Sequence, residues 1–175
     1  MLASTSRSLC CLGVPIDFYW AYEPSHDPAD HLQRAVDALM EAIAGDGRVW
    51  STYKQTLDRR TFEKRLDKAC RGELRQPEDT KALRGGLRNL HEIRWTGFDV
   101  ANQNPDGTIT YTQTDVRLIT TQPEELTLGV VGLLAHEKPH TRQAKRIQNR
   151  AIDAAERCYD AGHSILWGLT PRSTT

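Results

Sequence analysis

Between Asp30 and Ala44 the apolar residues Leu32, Val36, Leu39, Met40 and Ile43 recur every three or four positions, and Gly45-Asp46-Gly47 interrupts the series. That period predicts an amphipathic helix that ends at the glycines. Upstream, residues 14–22 (VPIDFYWAY) are aromatic and β-prone, and the breaker-rich stretch Glu23–Pro28 follows them. A strand and a turn therefore precede the helix. Downstream, Arg48–Thr56 alternates loosely, as a strand does. Asp58 is placed as the N-cap of a helix running to Arg71, with Phe62, Leu66 and Cys70 on one face and Gly72 closing it. A short helix is expected from Pro77, a residue suited to a first helical position, to Gly85-Gly86.

Beyond those glycines the period shortens to two. Leu87–Trp95, Thr108–Ile119 and Leu126–Ala135 read as strands, and Asn104-Pro105-Asp106-Gly107 joins the first two as a hairpin. The third is apolar throughout, which suits a central, covered strand. From His140 to Asp160 the helical period returns, with Ile147, Ala151, Ala154 and Cys158 on one face and Arg142, Arg146, Arg150 and Arg157 on the other. The expected fold is α+β: a small, mainly antiparallel sheet with helices packed on one face. Its expected organisation is an N-terminal strand-helix extension (1–45), a main domain (46–162) and a C-terminal tail (163–175). The apolar face of helix 30–44 must pack on the sheet, on strand 14–22 or across a homodimer.

At 175 residues the chain suits one domain, and no apolar run approaches the roughly 20 residues that span a bilayer. With no signal-peptide pattern at the N-terminus, a cytoplasmic location and no membrane partner are the expectation. Cys10, Cys11, Cys70 and Cys158 form no C-x-x-C pair, in keeping with a reducing compartment. Trp20, Trp50, Trp95 and Trp167 are spread along the chain as packing residues. The formal charge of +0 conceals an asymmetry: residues 1–50 hold three bases against seven acids, and residues 51–175 hold 20 against 16. A local anionic partner remains compatible with that distribution.

Two constellations could carry chemistry. His136-Glu137-Lys138-Pro139-His140 matches H-E-x-x-H, in which two His one helical turn apart hold zinc and the Glu is general base. Alternatively, His136, Lys138 and His140 emerge where the last strand passes into the last helix, beside Arg142 and Lys145, with Arg94 and Arg117 on neighbouring strands. Guanidinium and ammonium groups neutralise phosphate, and His titrates near neutrality, so this set suits RNA cleavage by the RNA's own 2′-OH. Neither a metal nor another cofactor is needed for that route.

The segment Thr61–Tyr159 resembles the RelE/ParE toxin superfamily, particularly its HigB-like and phage-derived RelE-like branches. The similar stretches are Phe62-Glu63-Lys64-Arg65-Leu66, Lys81-Ala82-Leu83-Arg84-Gly85-Gly86-Leu87, Leu90-His91-Glu92-Ile93-Arg94, Val116-Arg117-Leu118-Ile119 and Gly132-Leu133-Leu134-Ala135-His136-Glu137-Lys138, followed by a closing helix from Thr141. The resemblance implies a ribosome-associated mRNA endoribonuclease held in check by a cognate antitoxin. It implies Arg94, Arg117, His136, Lys138 and His140 as catalytic residues, and Arg84, Arg88, Arg142, Lys145 and Arg146 as RNA contacts. The other readings are a non-catalytic RelE-like interaction module and a zinc metallopeptidase. On the toxin reading, removing the acidic residues 1–45 is expected to raise RNA or ribosome affinity if the truncated body still folds.

Overall fold

A computed structural model describes residues 7–83 and 88–170. The elements are β1 (Asp17–Trp20), α1 (Pro28–Ile43), β2 (Arg48–Val49), α2 (Thr52–Cys70), β3 (Thr80–Ala82), β4 (Leu90–Gln103), β5 (Ile109–Thr121), β6 (Gly129–Pro139) and α3 (Ala144–Gly162). Short 3-10 segments lie at Leu9–Cys11 and His163–Gly168. The strands form one sheet in the order β1-β6-β5-β4-β2, with β3 also on β4. β1 runs parallel to β6 and the other pairings are antiparallel. The expected α+β class and mainly antiparallel sheet are therefore present.

Helices cover both faces of the sheet, where one face was expected. On the first, Leu39 and Ile43 of α1 and Phe62 and Leu66 of α2 pack with Ile93, Trp95, Val116, Leu118 and Val130. On the second, Ala151, Ile152 and Ala155 of α3, with Trp167, pack against Ile119, Val131 and Leu133. The buried, unbroken run Val116–Gln122 in and after β5 is what two covered faces require. The buried stripe of α3 is turned slightly from the expected one: Ala151, Ile152 and Ala155 are buried, while Ile147, Ala154 and Cys158 are half-buried.

The strand and helix assigned to an N-terminal extension are built into this sheet. β1 pairs with β6 from Asp17↔Gly129 to Trp20↔Gly132, and α1 packs on β6 and β5. Asp27 caps α1 by accepting the Ala29 N–H at 2.9 Å, and Pro28 follows it in the first turn. His31 of α1 fastens the pair. Its Nδ1 accepts the Trp20 N–H at 2.9 Å and its Nε2–H donates to the Ser25 carbonyl at 2.8 Å. The C-terminal segment is equally integral, because Trp167 is buried and its indole donates to the Cys158 carbonyl at 3.1 Å.

Several element boundaries differ from expectation. α2 begins at Thr52, where Ser51 Oγ accepts the Lys54 N–H at 3.2 Å, so Arg48–Thr56 contributes only the two residues of β2. Asp58 is interior to α2 and buried, accepting from Trp50 Nε1 at 3.0 Å and from Lys54 Nζ. Tertiary bonding, not capping, occupies its carboxylate. No helix starts at Pro77: residues 76–79 form a turn into β3. Asp79 accepts the Arg75 N–H with its side chain and the Arg94 N–H with its carbonyl, drawing the chain onto the sheet. β4 continues past Trp95 to Gln103 through a bulge between Trp95 and Phe98, where Gly97 has φ 73°. That interruption hides the second half of the strand from an alternation test. The expected Gly85-Gly86 boundary lies outside the described residues.

Candidate functional site

Strand pairing decides which side chains meet. Arg94 of β4 stands opposite Arg117 of β5, and Arg117 stands opposite His136 of β6; in the next row Asp115 stands opposite Lys138. A register shift in β6 steps past Leu133, since Ile119 pairs with Leu134 and Thr120 with Gly132. The extra residue resets the alternation, so Leu133, Leu134, His136 and Lys138 share the face toward α3. Glu92 lies on this face too, and Gln148 in the second turn of α3 donates to its carboxylate at 3.1 Å. The five residues expected to be catalytic are thereby brought to one region. Glu92, Asp115 and Gln148 join them unanticipated in a catalytic role; the signal for Asp115 was its i, i+2 spacing from Arg117.

Arg117 is the centre, with its side chain 1% exposed. Its Nη1 donates to the carbonyls of Trp95 at 2.8 Å and Val116 at 3.1 Å, and its Nη2 donates to Asp115 at 2.8 Å. The Glu92 carboxylate sits between two guanidiniums, 3.8 Å from Arg117 Nε and 3.6 Å from Arg94 Nε. Burial lowers the Arg117 pKa against the raising effect of Glu92 and Asp115. Arginine nonetheless stays charged. Burial would raise Asp115, but the His140 imidazole, the Gly97 N–H and Arg117 together hold it below the usual carboxylate range. His140 Nε2–H donates to Asp115 at 3.0 Å from a half-exposed position just beyond β6.

His136 and Lys138 are depressed together. Burial lowers the His136 pKa, with Arg117 and Lys138 adding to it, so the ring is neutral near pH 7. Its Nδ1–H donates to the Glu137 carbonyl at 3.2 Å, which leaves the Nε2 lone pair free. Burial and Arg117 likewise lower Lys138. Among the described residues five buried side-chain polar atoms lack a hydrogen-bond partner, and three of them, Arg94 Nε, Arg117 Nε and His136 Nε2, lie here. The two Nε atoms face the Glu92 carboxylate beyond hydrogen-bond range, and unmade bonds of this kind are costly.

The expected RNA contacts divide. Arg142, Lys145 and Arg146 are exposed at the start of α3, next to the cluster. Arg88 is instead held by Asp160 through two bonds of 2.9 Å, about 22 Å further along α3 by helical rise. It does not belong to the same patch. Arg84 lies outside the described residues. The H-E-x-x-H match falls on β6 through Pro139, so the helix that would aim both imidazoles at one ion is not formed. Among the described residues no group of three or more His, Cys, Asp or Glu is arranged to hold a metal. Glu137 points to the opposite face and pairs with Arg48 at 3.1 Å.

No family model matches the chain, and no curated protein or solved structure is detectably similar to it. The chemistry of the site therefore rests on its own residues. Among the described residues no helix is long and apolar enough to cross a membrane.

Proposed function

We propose that the chain is the toxin component of a type II toxin–antitoxin pair, a metal-independent RelE/HigB-like endoribonuclease that cuts mRNA on translating ribosomes. The observation that supports this is the meeting of Arg94, Arg117, His136 and Lys138 on adjacent strands, with Arg94 and Lys138 partly accessible. In the reaction the 2′-OH of one nucleotide attacks the following phosphate, its proton passes to His136 Nε2, and the 5′-oxygen of the next nucleotide leaves with a proton. That Nε2 is sealed from solvent in the free chain and must be uncovered as the RNA docks. The products are a 2′,3′-cyclic phosphate and a 5′-hydroxyl end. Neutral His136 is in the correct state to accept. Lys138 and Arg94, both partly accessible, hold the phosphate, while Arg117 supplies a fixed positive field from beneath. His140, oriented by Asp115, is placed to protonate the leaving oxygen. Arg142, Lys145 and Arg146 contact flanking phosphates, and the antitoxin is the partner that covers this basic rim.

A second reading, a RelE-like interaction module without cleavage, is favoured by Glu92 and Asp115, whose carboxylates already neutralise Arg117. Induction of the chain alone in bacteria, with mapping of mRNA ends, separates the two. Translation-dependent cuts that Lys138→Ala and His136→Gln remove are the expected result. Absence of cuts and of growth arrest from the native chain would leave only the module.

A further inference from the structure

The outward flank of α2 carries a cationic groove that none of the preceding roles uses. A cavity of about 440 Å³ runs along it and is lined by Leu57, Arg60, Thr61, Lys64, Arg65 and Lys68. Arg60, Lys64 and Lys68 follow one another at i, i+4 and i+8, so they stack on one stripe, where like charges repel. All three are exposed, and among the described residues none has an ion pair. Of the acids of the helix, Asp58 is buried and bound to Lys54, and Asp67 is bound to Arg71. Exposed Glu63 and Asp67 flank the stripe one i, i+3 step from Arg60 and Lys64, on the side away from Leu57, Thr61 and Arg65, which line the groove. The groove side of α2 is thus a line of three exposed cations without ion pairs among the described residues, in a chain whose formal net charge is +0.

The groove is joined to the candidate site. Arg65 at its inner rim pairs with Asp79 at 3.5 Å and donates to the Arg94 carbonyl. Arg94 is itself the outermost cation of the cluster on the other face. α2 therefore reaches the outer edge of β4 at the Arg94 backbone, between β3 at Ile93 and β2 at Ala101, with Asp79 bound there by Arg65 and Arg75 and the Arg94 Nη1 donating to the Pro77 carbonyl.

We infer that this flank of α2 binds the phosphate backbone of single-stranded RNA, extending the track of the substrate that enters the site at Arg94. This track presupposes the ribonuclease reading of the site. Arg60 to Lys68 spans about 12 Å along the helix, too far for one phosphate and suited to several in succession. The groove offers cationic side chains and the apolar Leu57, with the Thr61 hydroxyl donating to the Leu57 carbonyl, and has no aromatic platform, so it recognises backbone and not base sequence.

Fluorescence anisotropy of the full chain with labelled U20 and U4 oligoribonucleotides tests this. Replacing Arg60, Lys64 and Lys68 together by Gln is expected to weaken U20 binding by about tenfold or more. It is also expected to reduce the slope of log affinity against log salt by about 2, at roughly 0.7 for each phosphate no longer neutralised. U4, which fills only the site, is expected to bind unchanged. The charge-conserving set Arg60→Lys, Lys64→Arg and Lys68→Arg keeps native binding, and Lys64→Glu alone weakens U20 less, in the same direction. Native U20 affinity and salt slope in the triple Gln variant, or no U20 binding by the native chain, would overturn the inference. If Lys138→Ala abolishes cuts while the triple variant binds normally, the enzyme reading stands without this track. If the triple variant loses U20 while the native chain makes no cuts, RNA binding by this flank stands, but the nuclease reading and the flank's part as its substrate track fall together.

Discussion

Arg117 shows how a single side chain is committed by its surroundings. With four fixed neighbours, the Trp95 and Val116 carbonyls, Asp115 and Glu92, it is a structural charge as much as a functional one. Arg117→Met removes the cation, leaving Glu92 with Arg94 and Gln148 and Asp115 with His140 and the Gly97 N–H, and the expected loss is about 3 kcal/mol in urea unfolding. Arg117→Met combined with Glu92→Gln is expected to recover part of it, because a buried carboxylate that has lost one of its two cations is also removed. His136 makes a pH-dependent contribution. Its folded pKa lies below its ordinary value, so the unfolded chain binds the proton more readily. Stability should therefore fall as pH drops below about 6.5, and His136→Gln should flatten that limb of a melting-temperature profile between about pH 7.5 and 5. Asp115 acts in a separate window: its folded pKa is lowered, so its share is retained above about pH 4 and lost in stronger acid. Only the pairing of distant strands put these groups together, although the residue types were plain from the start.

At the scale of elements, the amphipathic segments were legible and the context-dependent ones were not. α1 shows its period, its cap and its stop in consecutive residues, and it forms where the spacing places it. α2 does not. Its polar composition hides a continuous helix, and Asp58 reads as a cap until Trp50 and Lys54 are seen to bind it. Ser51→Ala, which removes the true cap, is expected to lower stability by about 1 kcal/mol in thermal or urea unfolding. The end of α3 tests a close approach. A Cβ on Gly162 would lie 2.0 Å from Trp167 Cδ1. Gly162→Ala should therefore expel the indole, seen as a red shift of tryptophan emission and a lower melting temperature. Unchanged emission would show that the terminal segment does not hold its place through this contact.

For the whole molecule, the charge asymmetry no longer marks a detachable acidic piece. Residues 17–43 supply an edge strand and a helix over Val116, Leu118 and Val130, all buried. Deleting 1–45 is expected to abolish cooperative thermal unfolding and expose apolar surface to a hydrophobic dye, and not to raise RNA affinity. A cooperative transition in the truncated chain would show that β4–β6 and α2 suffice as a core. The sequence by itself determined the α+β class, the hairpin at Asn104–Gly107, the helix at α1 and the set of basic and imidazole groups near the end of the sheet, because each depends on local spacing or on side-chain chemistry. Tertiary structure alone decided that helices cover both faces, that the register shift at Leu133 turns His136 and Lys138 toward Arg117, and that Glu92 and Asp115 share their site. Those outcomes depend on which strands pair and in what register, and neither is written in the period of any one segment.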